Sequence, residues 1–386
     1  MNLFDVLIVG LVVAGIVGGY RLGMVTRVAS WIGMFIGLFA AVRVLPWILE
    51  RLPRSGGLTS FAVVVGVLLF LAFLGQGIGL WLGSTLRPVS DDGTVTVVDR
   101  VLGGLAGFVG TVVMIWLLLP LAAHTPGWVA SEVTGSALAR QLDQRLPEAP
   151  DTVQALQGFV GDGFPRVFEA LQPSPNLGPP PAASGLSTEQ AASVARSVVK
   201  VEGIACSRVQ DGTGFVVADG LVVTNAHVVA GERKTELERD DGTRVTAEVV
   251  AFDPARDLAV LRARGLDRPA LPIGTSATGQ RGGVFGHPGG EPLRIAPFEV
   301  ARQIRALGRD IYGTARTERE VLELSANLRP GDSGSALVDP SGTVVGVAFA
   351  IAPDRPDVAY ALSTDELRTV LAQPRSGVVS TGDCVA

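Results

Sequence analysis

The stretch "GTGFVVADGLVVTNAHVV", Gly212–Val229, sets two apolar runs on either side of Ala218-Asp219-Gly220. Asp-Gly between apolar runs is a hairpin signal, because glycine accepts the positive φ that a tight turn requires. The pattern continues outward. "TRVTAEVVAFDPARDLAVLRA", "RGGVFGHP", "SGTVVGVAFAI" and "VAYALS" are further short apolar runs separated by Gly, Asp and Pro. Many short strands with regular turn punctuation predict an all-β barrel or sandwich, and the length available suits two small barrels with a cleft between them. "STEQAASVARSVVKVEG" reads as a short helix starting near Ser187 and running into the first strand. "STDELRTVLAQ", Ser363–Gln373, reads as a closing helix with a serine cap and an acidic first turn.

The first half is written differently. The chain has 386 residues, 47% of them hydrophobic, and the apolar excess is concentrated in residues 1–125. Four stretches, Val6–Tyr20, Val28–Leu49, Thr59–Leu82 and Val101–Ala123, mostly approach or exceed the ~20 residues needed to cross hydrocarbon. The start, MNLFD, lacks a basic region and no small-residue cleavage site follows, so the first span is not read as a cleavable signal. Gly33/Gly37 and Gly103/Gly107 have the small-xxx-small spacing that lets helix backbones approach closely. Arg43 within the second span is read as snorkelling or facing the bundle. These features predict a four-span transmembrane domain over 1–125. Residues 126–190 follow as a helical juxtamembrane segment and Pro-rich linker, with the β-rich domain over 191–386. "QPSPNLGPPPAASG", Gln172–Gly185, reads as an extended spacer holding that domain away from the bilayer.

Arg21 and Arg27 mark the first interhelical loop as cytoplasmic, which puts both termini on the opposite side. The net charge of −5 excludes nucleic acid as the main partner. The two cysteines, Cys206 and Cys384, bracket the β-rich domain. On the far side of a membrane they would sit in an oxidising space and could pair; two separate buried thiols is the alternative. His124 and His287 lack partners at metal spacing, so no metal and no cofactor is expected, and both are assigned structural roles.

Three residue settings carry chemistry. His227 follows a strand and opens a turn in "TNAHVV". Asp257 follows the proline-containing turn in "DPARDLAVL". Ser333 sits between glycines in "RPGDSGSALVD". A serine hydroxyl is a weak nucleophile until a neighbouring imidazole takes its proton, and the imidazole needs a buried carboxylate on its other nitrogen. The order His227, Asp257, Ser333 is that of chymotrypsin-type enzymes. The backbone amides of Gly331 and Ser333 are the candidate donors to a developing oxyanion. A general base must be neutral, so hydrolysis is expected to weaken as pH falls.

These motifs resemble the trypsin-like serine proteases, specifically the bacterial envelope branch related to the HtrA proteases. "GYRLGMVTRVASWIGMFIGLFAA" and "VVDRVLGGLAGFVGTVV" resemble the colicin V production family of four-span membrane proteins. Fused, the two halves resemble the actinobacterial membrane-anchored acid-resistance periplasmic serine proteases. That resemblance implies a chymotrypsin-like double β-barrel behind a four-helix transmembrane bundle. It also implies location in the bacterial inner membrane with the protease domain in the periplasm, protein substrates of the cell envelope, a disulfide in the protease domain, and a role in acid or envelope stress. No PDZ-like domain is expected after the protease domain, and no oligomeric state is assigned. Asn327 is placed near the floor of a primary pocket, with Ala348, Phe349 and Ala350 forming one wall. With no acid at Asn327, small or medium uncharged side chains are the expected preference. The alternative is a protease fold kept as a sensor, with the bundle signalling or regulating transport.

Overall fold

The structure, a computed structural model, describes residues 2–49, 57–86, 93–125, 127–147, 173–205, 208–373 and 377–385. These form two compact units.

The first unit contains α1 (Leu3–Leu22), α2 (Met24–Leu49), α3 (Gly57–Leu86) and α4 (Gly93–His124). Each holds an apolar segment long enough to cross a membrane: Leu3–Leu22, Met24–Leu45, Gly66–Leu86 and Val97–Pro120. Ile32, Phe35, Phe39, Phe70 and Phe73 are exposed on the outside, as suits helices whose solvent is hydrocarbon. The helices pair through glycine. A Cβ on Gly33 would lie 2.2 Å from the carbonyl oxygen of Gly75, and one on Gly107 would lie 2.0 Å from that of Gly15. Both expected small-residue pairs therefore sit at backbone-to-backbone crossings. Arg43 stacks its guanidinium over Phe39, 4.7 Å from the ring centre.

Two short helices follow, α5 (Trp128–Gly135) and α6 (Ala137–Arg145). The Ser136 hydroxyl caps α6 at Ala139 N–H and donates to Asp5 Oδ1 at 2.6 Å. Asp5, which opens the first span, is thereby buried and hydrogen-bonded. Helix α6 ends ahead of Leu146-Pro147, since a residue before proline is steered out of the helical region. The remaining expected helical pieces, over 148–171, lie outside the described residues.

The second unit takes in Thr125–Ser131 and, further along the chain, residues 173–187 and α7 (Thr188–Ala195), capped by Ser187. Twelve strands then form two closed barrels. The first comprises β1 (Val198–Ala205), β2 (Arg208–Ala218), β3 (Leu221–Thr224), β4 (Thr235–Glu238), β5 (Arg244–Asp253) and β6 (Leu258–Arg262), ordered β1-β2-β3-β6-β5-β4. The second comprises β7 (Arg281–Gly286), β8 (Arg294–Arg309), β9 (Arg316–Ala326), β10 (Ala336–Val338), β11 (Val344–Ile351) and β12 (Val358–Ser363), ordered β10-β11-β12-β9-β8-β7. Gly220, at φ +60°, turns the β2–β3 hairpin as its sequence predicts. A one-turn helix, α8 (Ala226–Val229), follows β3, and α9 (Thr364–Leu371) closes the domain with Ser363 as its cap.

One core joins the barrels. Phe215, Val223 and Leu258 of the first pack with Phe285, Val347 and Leu362 of the second and with Leu367 of α9. Burying each such side chain contributes about 1.5–3 kcal/mol.

The Pro-rich segment, expected as an extended spacer, lies against the β-rich domain over its described residues. Leu177 and Leu186 pack against the barrel core. Ser174 N–H donates to Asp354 Oδ2 at 2.9 Å, and Ser325 Oγ donates to the Gly178 carbonyl at 2.9 Å. Proline fixes an extended backbone without N–H groups to satisfy, and the intervening serine and leucines fasten that ribbon to the domain. Residues 173–187 are thus fastened to the β-rich domain ahead of its first strand. Gln172 lies outside the described residues.

Candidate active site

His227 is carried by α8, directly after β3, and Asp257 by the tight turn between β5 and β6. The structure brings them together. His227 Nδ1 lies 2.8 Å from Asp257 Oδ2, and His227 N–H donates to Asp257 Oδ1 at 2.9 Å. Both carboxylate oxygens are therefore used by one residue. Asp257 is fully buried, and the His227 side chain retains 13% of its exposure.

The Asp257 backbone is at φ +58°. For a residue other than glycine the left-handed region costs about 1–2 kcal/mol, so its surroundings must hold it there. Asn225 Nδ2 donates to the Asp257 carbonyl at 2.8 Å, and Asp253 Oδ1 accepts from Arg256 N–H at 2.9 Å across the turn. Asn225 lies two positions before His227, in the quoted "TNAHVV", yet nothing in the sequence marks its role.

Ser333 lies on the loop between β9 and β10, in the second barrel. It is 6% exposed. Its backbone carbonyl accepts from Thr213 N–H of β2 at 2.8 Å. Among the described residues, the Ser333 hydroxyl and the His227 ring make no hydrogen bond to each other. Such bonds are often long without substrate and tighten when it binds.

The Ser333 loop is shaped by two glycines. Gly331 is at φ +94° and Gly334 at φ +82°. A Cβ on Gly334 would lie 2.1 Å from the Thr213 carbonyl oxygen, and one on Gly331 would lie 2.4 Å from the Gly289 nitrogen. Among the described residues, neither the Gly331 nor the Ser333 N–H has an acceptor. Gly334 N–H donates to the Ala348 carbonyl and Ala348 N–H to the Ser335 carbonyl, each at 2.9 Å, so β11 runs beside the loop.

Thr213 organises the junction and was not legible as such. Its hydroxyl donates to the Gly331 carbonyl at 2.8 Å and accepts from His287 N–H at 2.8 Å. His287 Nδ1 lies 3.0 Å from the Glu291 carbonyl, in keeping with a structural role, and burial lowers the His287 pKa. The side chain of His124 lies outside the described residues.

Asp332 is buried between the glycines. Its Oδ2 accepts from Arg329 N–H at 2.9 Å. Burial pushes its carboxyl up to about 6, against the opposing pull of that hydrogen bond and of the Arg294 and Arg329 charges.

The expected pocket residues divide. Asn327 is exposed, and its carbonyl accepts from Arg294 Nη2 at 2.5 Å. Ala348, Phe349 and Ala350 lie on β11 and are buried. Phe349 belongs to the core, under the guanidinium of Arg319. Cys206 lies outside the described residues; Cys384 sits against Gly231, four residues after His227. Among the described residues no group of side chains is placed to hold a metal.

Comparison with known proteins agrees with both halves. Residues 4–147 match the family of the colicin V production protein, and residues 212–347 match the trypsin-like peptidase domain. Serine protease Rv3671c of Mycobacterium tuberculosis is 30% identical over 397 residues, covering 99% of this chain and 98% of that protein. The mitochondrial serine protease HTRA2 of Bos taurus is 35% identical over 167 residues, 42% of this chain and 36% of that one. The crystal structure of the active form of the Rv3671c protease superimposes with a TM-score of 0.53 at 34% identity, covering 57% of this chain and all of the other. Likeness along nearly the full length of both chains decides the assignment: the protein belongs to the Rv3671c family of serine proteases, endopeptidases in which a trypsin-like domain follows four apolar helices of the colicin V production type.

Proposed function

We propose that the chain is a membrane-anchored endopeptidase that cleaves proteins of the cell envelope, with Ser333 as nucleophile, His227 as general base and Asp257 as its orienter. The Asp257–His227 pair carries the proposal. One buried carboxylate engages both the backbone and the ring of the histidine, which leaves Nε2 as the nitrogen able to take a proton.

Ser333 Oγ attacks the peptide carbonyl carbon while its proton passes to His227 Nε2. The carbonyl π electrons move to oxygen, which meets the unpartnered Gly331 and Ser333 amides. One such donor is worth about 3–4 kcal/mol in the transition state. The imidazolium, held by the Asp257 charge, gives its proton to the departing amine, and the C–N bond breaks to leave an acyl-serine. Water then repeats the sequence with His227 as base, releasing the acid and restoring the serine hydroxyl.

Further elements belong to the same proposal. The protease domain faces the periplasm from the inner membrane, consistent with Arg21 and Arg27 at the first interhelical turn. Cys206 pairs with Cys384; among the described residues no cysteine is free. Asn327, Ala348, Phe349 and Ala350 border a pocket for small or medium uncharged side chains, and the protease serves acid or envelope stress.

The test is labelling of the detergent-solubilised full chain by a fluorophosphonate probe, with casein digestion alongside. Labelling and digestion that both vanish in Ser333→Ala and in His227→Ala support the assignment. Undiminished labelling of Ser333→Ala refutes it. A C-terminal alkaline phosphatase fusion, active only outside the cytoplasm, tests the orientation.

A further inference from the structure

Arg319 is 2% exposed and heads the fully buried side chains by volume. It sits on β9 of the second barrel, and its donors link the edge of the first barrel to the neighbouring strand β8. Its Nε donates to the Ala255 carbonyl at 2.7 Å, and its Nη2 donates to the Arg309 carbonyl at 2.7 Å. Ala255 lies two residues before Asp257, inside the same turn. Thr317 Oγ1, from the same strand, donates to the same Ala255 oxygen at 3.0 Å. Ile311 N–H, from the β8–β9 loop, donates to the neighbouring Pro254 carbonyl at 3.2 Å. One hairpin of the second barrel therefore grips the turn of the first that presents Asp257.

Packing alone does not account for an arginine here. Burying a guanidinium is costly, and an apolar side chain of equal volume would fill the space more cheaply. Among the described residues, no carboxylate lies within ion-pair distance of it. Burial works against its charge, and the carboxylates that act on it are, in order of strength, Asp257, Asp310, Glu366 and Asp253. Its guanidinium also lies 5.9 Å from the centre of the Phe349 ring. A flat fork with donors in fixed directions can hold two carbonyls at once, which no apolar residue does. The turn it holds needs holding, because Asp257 occupies left-handed backbone space that only its surroundings maintain.

We propose that Arg319 is a positioning residue for peptide hydrolysis, clamping the Pro254–Asp257 turn across the barrel junction so that the Asp257 carboxylate meets His227. The proposal rests on the assignment of Asp257 as orienter of His227.

The experiment measures the maximal rate and half-saturating concentration of fluorophosphonate labelling on the detergent-solubilised full chain. Arg319→Met is expected to lower the maximal rate about 30-fold with unchanged half-saturation, because a displaced Asp257 misorients the base without altering probe binding. Arg319→Lys, which retains the charge and one donor, is expected to recover most of that loss. In an Asp257→Asn background, Arg319→Met is expected to cost less than about 3-fold more, since both changes act through one group. Equal losses in the two backgrounds, or a folded Arg319→Met that labels at the wild-type rate, overturn the proposal. Should Arg319→Met fail to fold, Thr317→Val removes one donor to Ala255 and leaves the charge in place. It is expected to slow labelling about 3-fold in the wild type and not at all beside Asp257→Asn, and an equal loss in both overturns the proposal. Asp257→Asn alone separates the two levels. Slowing by about 10⁴-fold upholds the triad, in which case unaffected Arg319 variants sink only the clamp. Labelling of Asp257→Asn at the wild-type rate sinks both.

Discussion

Thr213 and Ser333 belong to different barrels, and the backbone of one holds the backbone of the other: Thr213 N–H donates to the Ser333 carbonyl at 2.8 Å. The Thr213 hydroxyl reaches Gly331 from the same position. The loop expected to carry the nucleophile and oxyanion donors is thus set by the first barrel, the barrel that also carries His227 and Asp257.

Thr213→Val tests that arrangement. The substitution keeps shape but leaves the buried Gly331 carbonyl and the His287 N–H without their partner. A buried polar group so orphaned costs about 1–3 kcal/mol. We expect a stability loss of about 2 kcal/mol by pulse proteolysis and a fall in kcat of about 10-fold, because Gly331 N–H loses its aim. An unchanged kcat would show that Thr213 is only structural.

Gly334→Ala should be far worse. At φ +82° the new Cβ would stand 2.1 Å from the Thr213 carbonyl oxygen, which is backbone and has nowhere to go. We expect loss of more than about 100-fold in labelling rate. Alanine at Gly242 makes a matched control, being at φ +78° on an open turn with nothing within 4 Å of its Cβ position. That variant should retain full labelling.

Glu232 predicts a pH dependence. Burial pushes its carboxyl up to about 7 against the opposing pull of the Thr235 hydroxyl, from an ordinary value of 4.5. A raised carboxyl favours folding in its protonated form. Its contribution is complete below pH 4.5 and is lost as pH rises through about 7, a swing of at most about 3 kcal/mol. Glu232→Gln removes the charge that must be buried above pH 7. The variant should therefore resist thermal inactivation better than the wild type at pH 8, and the advantage should disappear at pH 4. An advantage that is the same at both pH values would contradict the assignment.

The bundle makes a separate prediction. Gly33→Leu forces a side chain into the Gly75 backbone, whereas Gly10 has nothing within 4 Å of its Cβ position. Overpacking of this kind costs about 1–3 kcal/mol. Gly33→Leu should lower resistance of the bundle to unfolding in SDS, and Gly10→Leu should not. Neither should change the labelling rate per active molecule.

The legible parts were those whose signal is local. The Asp219-Gly220 hairpin, the Ser363 helix cap and the four apolar spans each depend on neighbours in sequence, and each is where it was expected. The small-residue spacing at Gly33/Gly37 and Gly103/Gly107 likewise encoded a helix face. Thr213 and Arg319 were not legible. Threonine after glycine in a strand, or arginine among Arg316, Arg319 and their glutamates, reads as an ordinary exposed residue. What distinguishes them is a partner far along the chain: Gly331 for Thr213, and Ala255 for Arg319. The attachment of the Pro-rich segment is not legible for a related reason. Composition describes its stiffness, but Asp354 and Ser325, which hold it, lie far downstream.

By itself, the sequence determined the division into apolar spans and β-rich domain, the hairpins, and the residue types and chain order of His227, Asp257 and Ser333, because hydrophobic period, turn chemistry and residue identity are properties of short segments. Tertiary structure alone decided that two closed barrels share one core, that Thr213 and Arg319 cross the junction between them, and that the Pro-rich ribbon lies on the domain. Those outcomes depend on loop closure and on donors meeting acceptors across long separations, which no window of sequence contains.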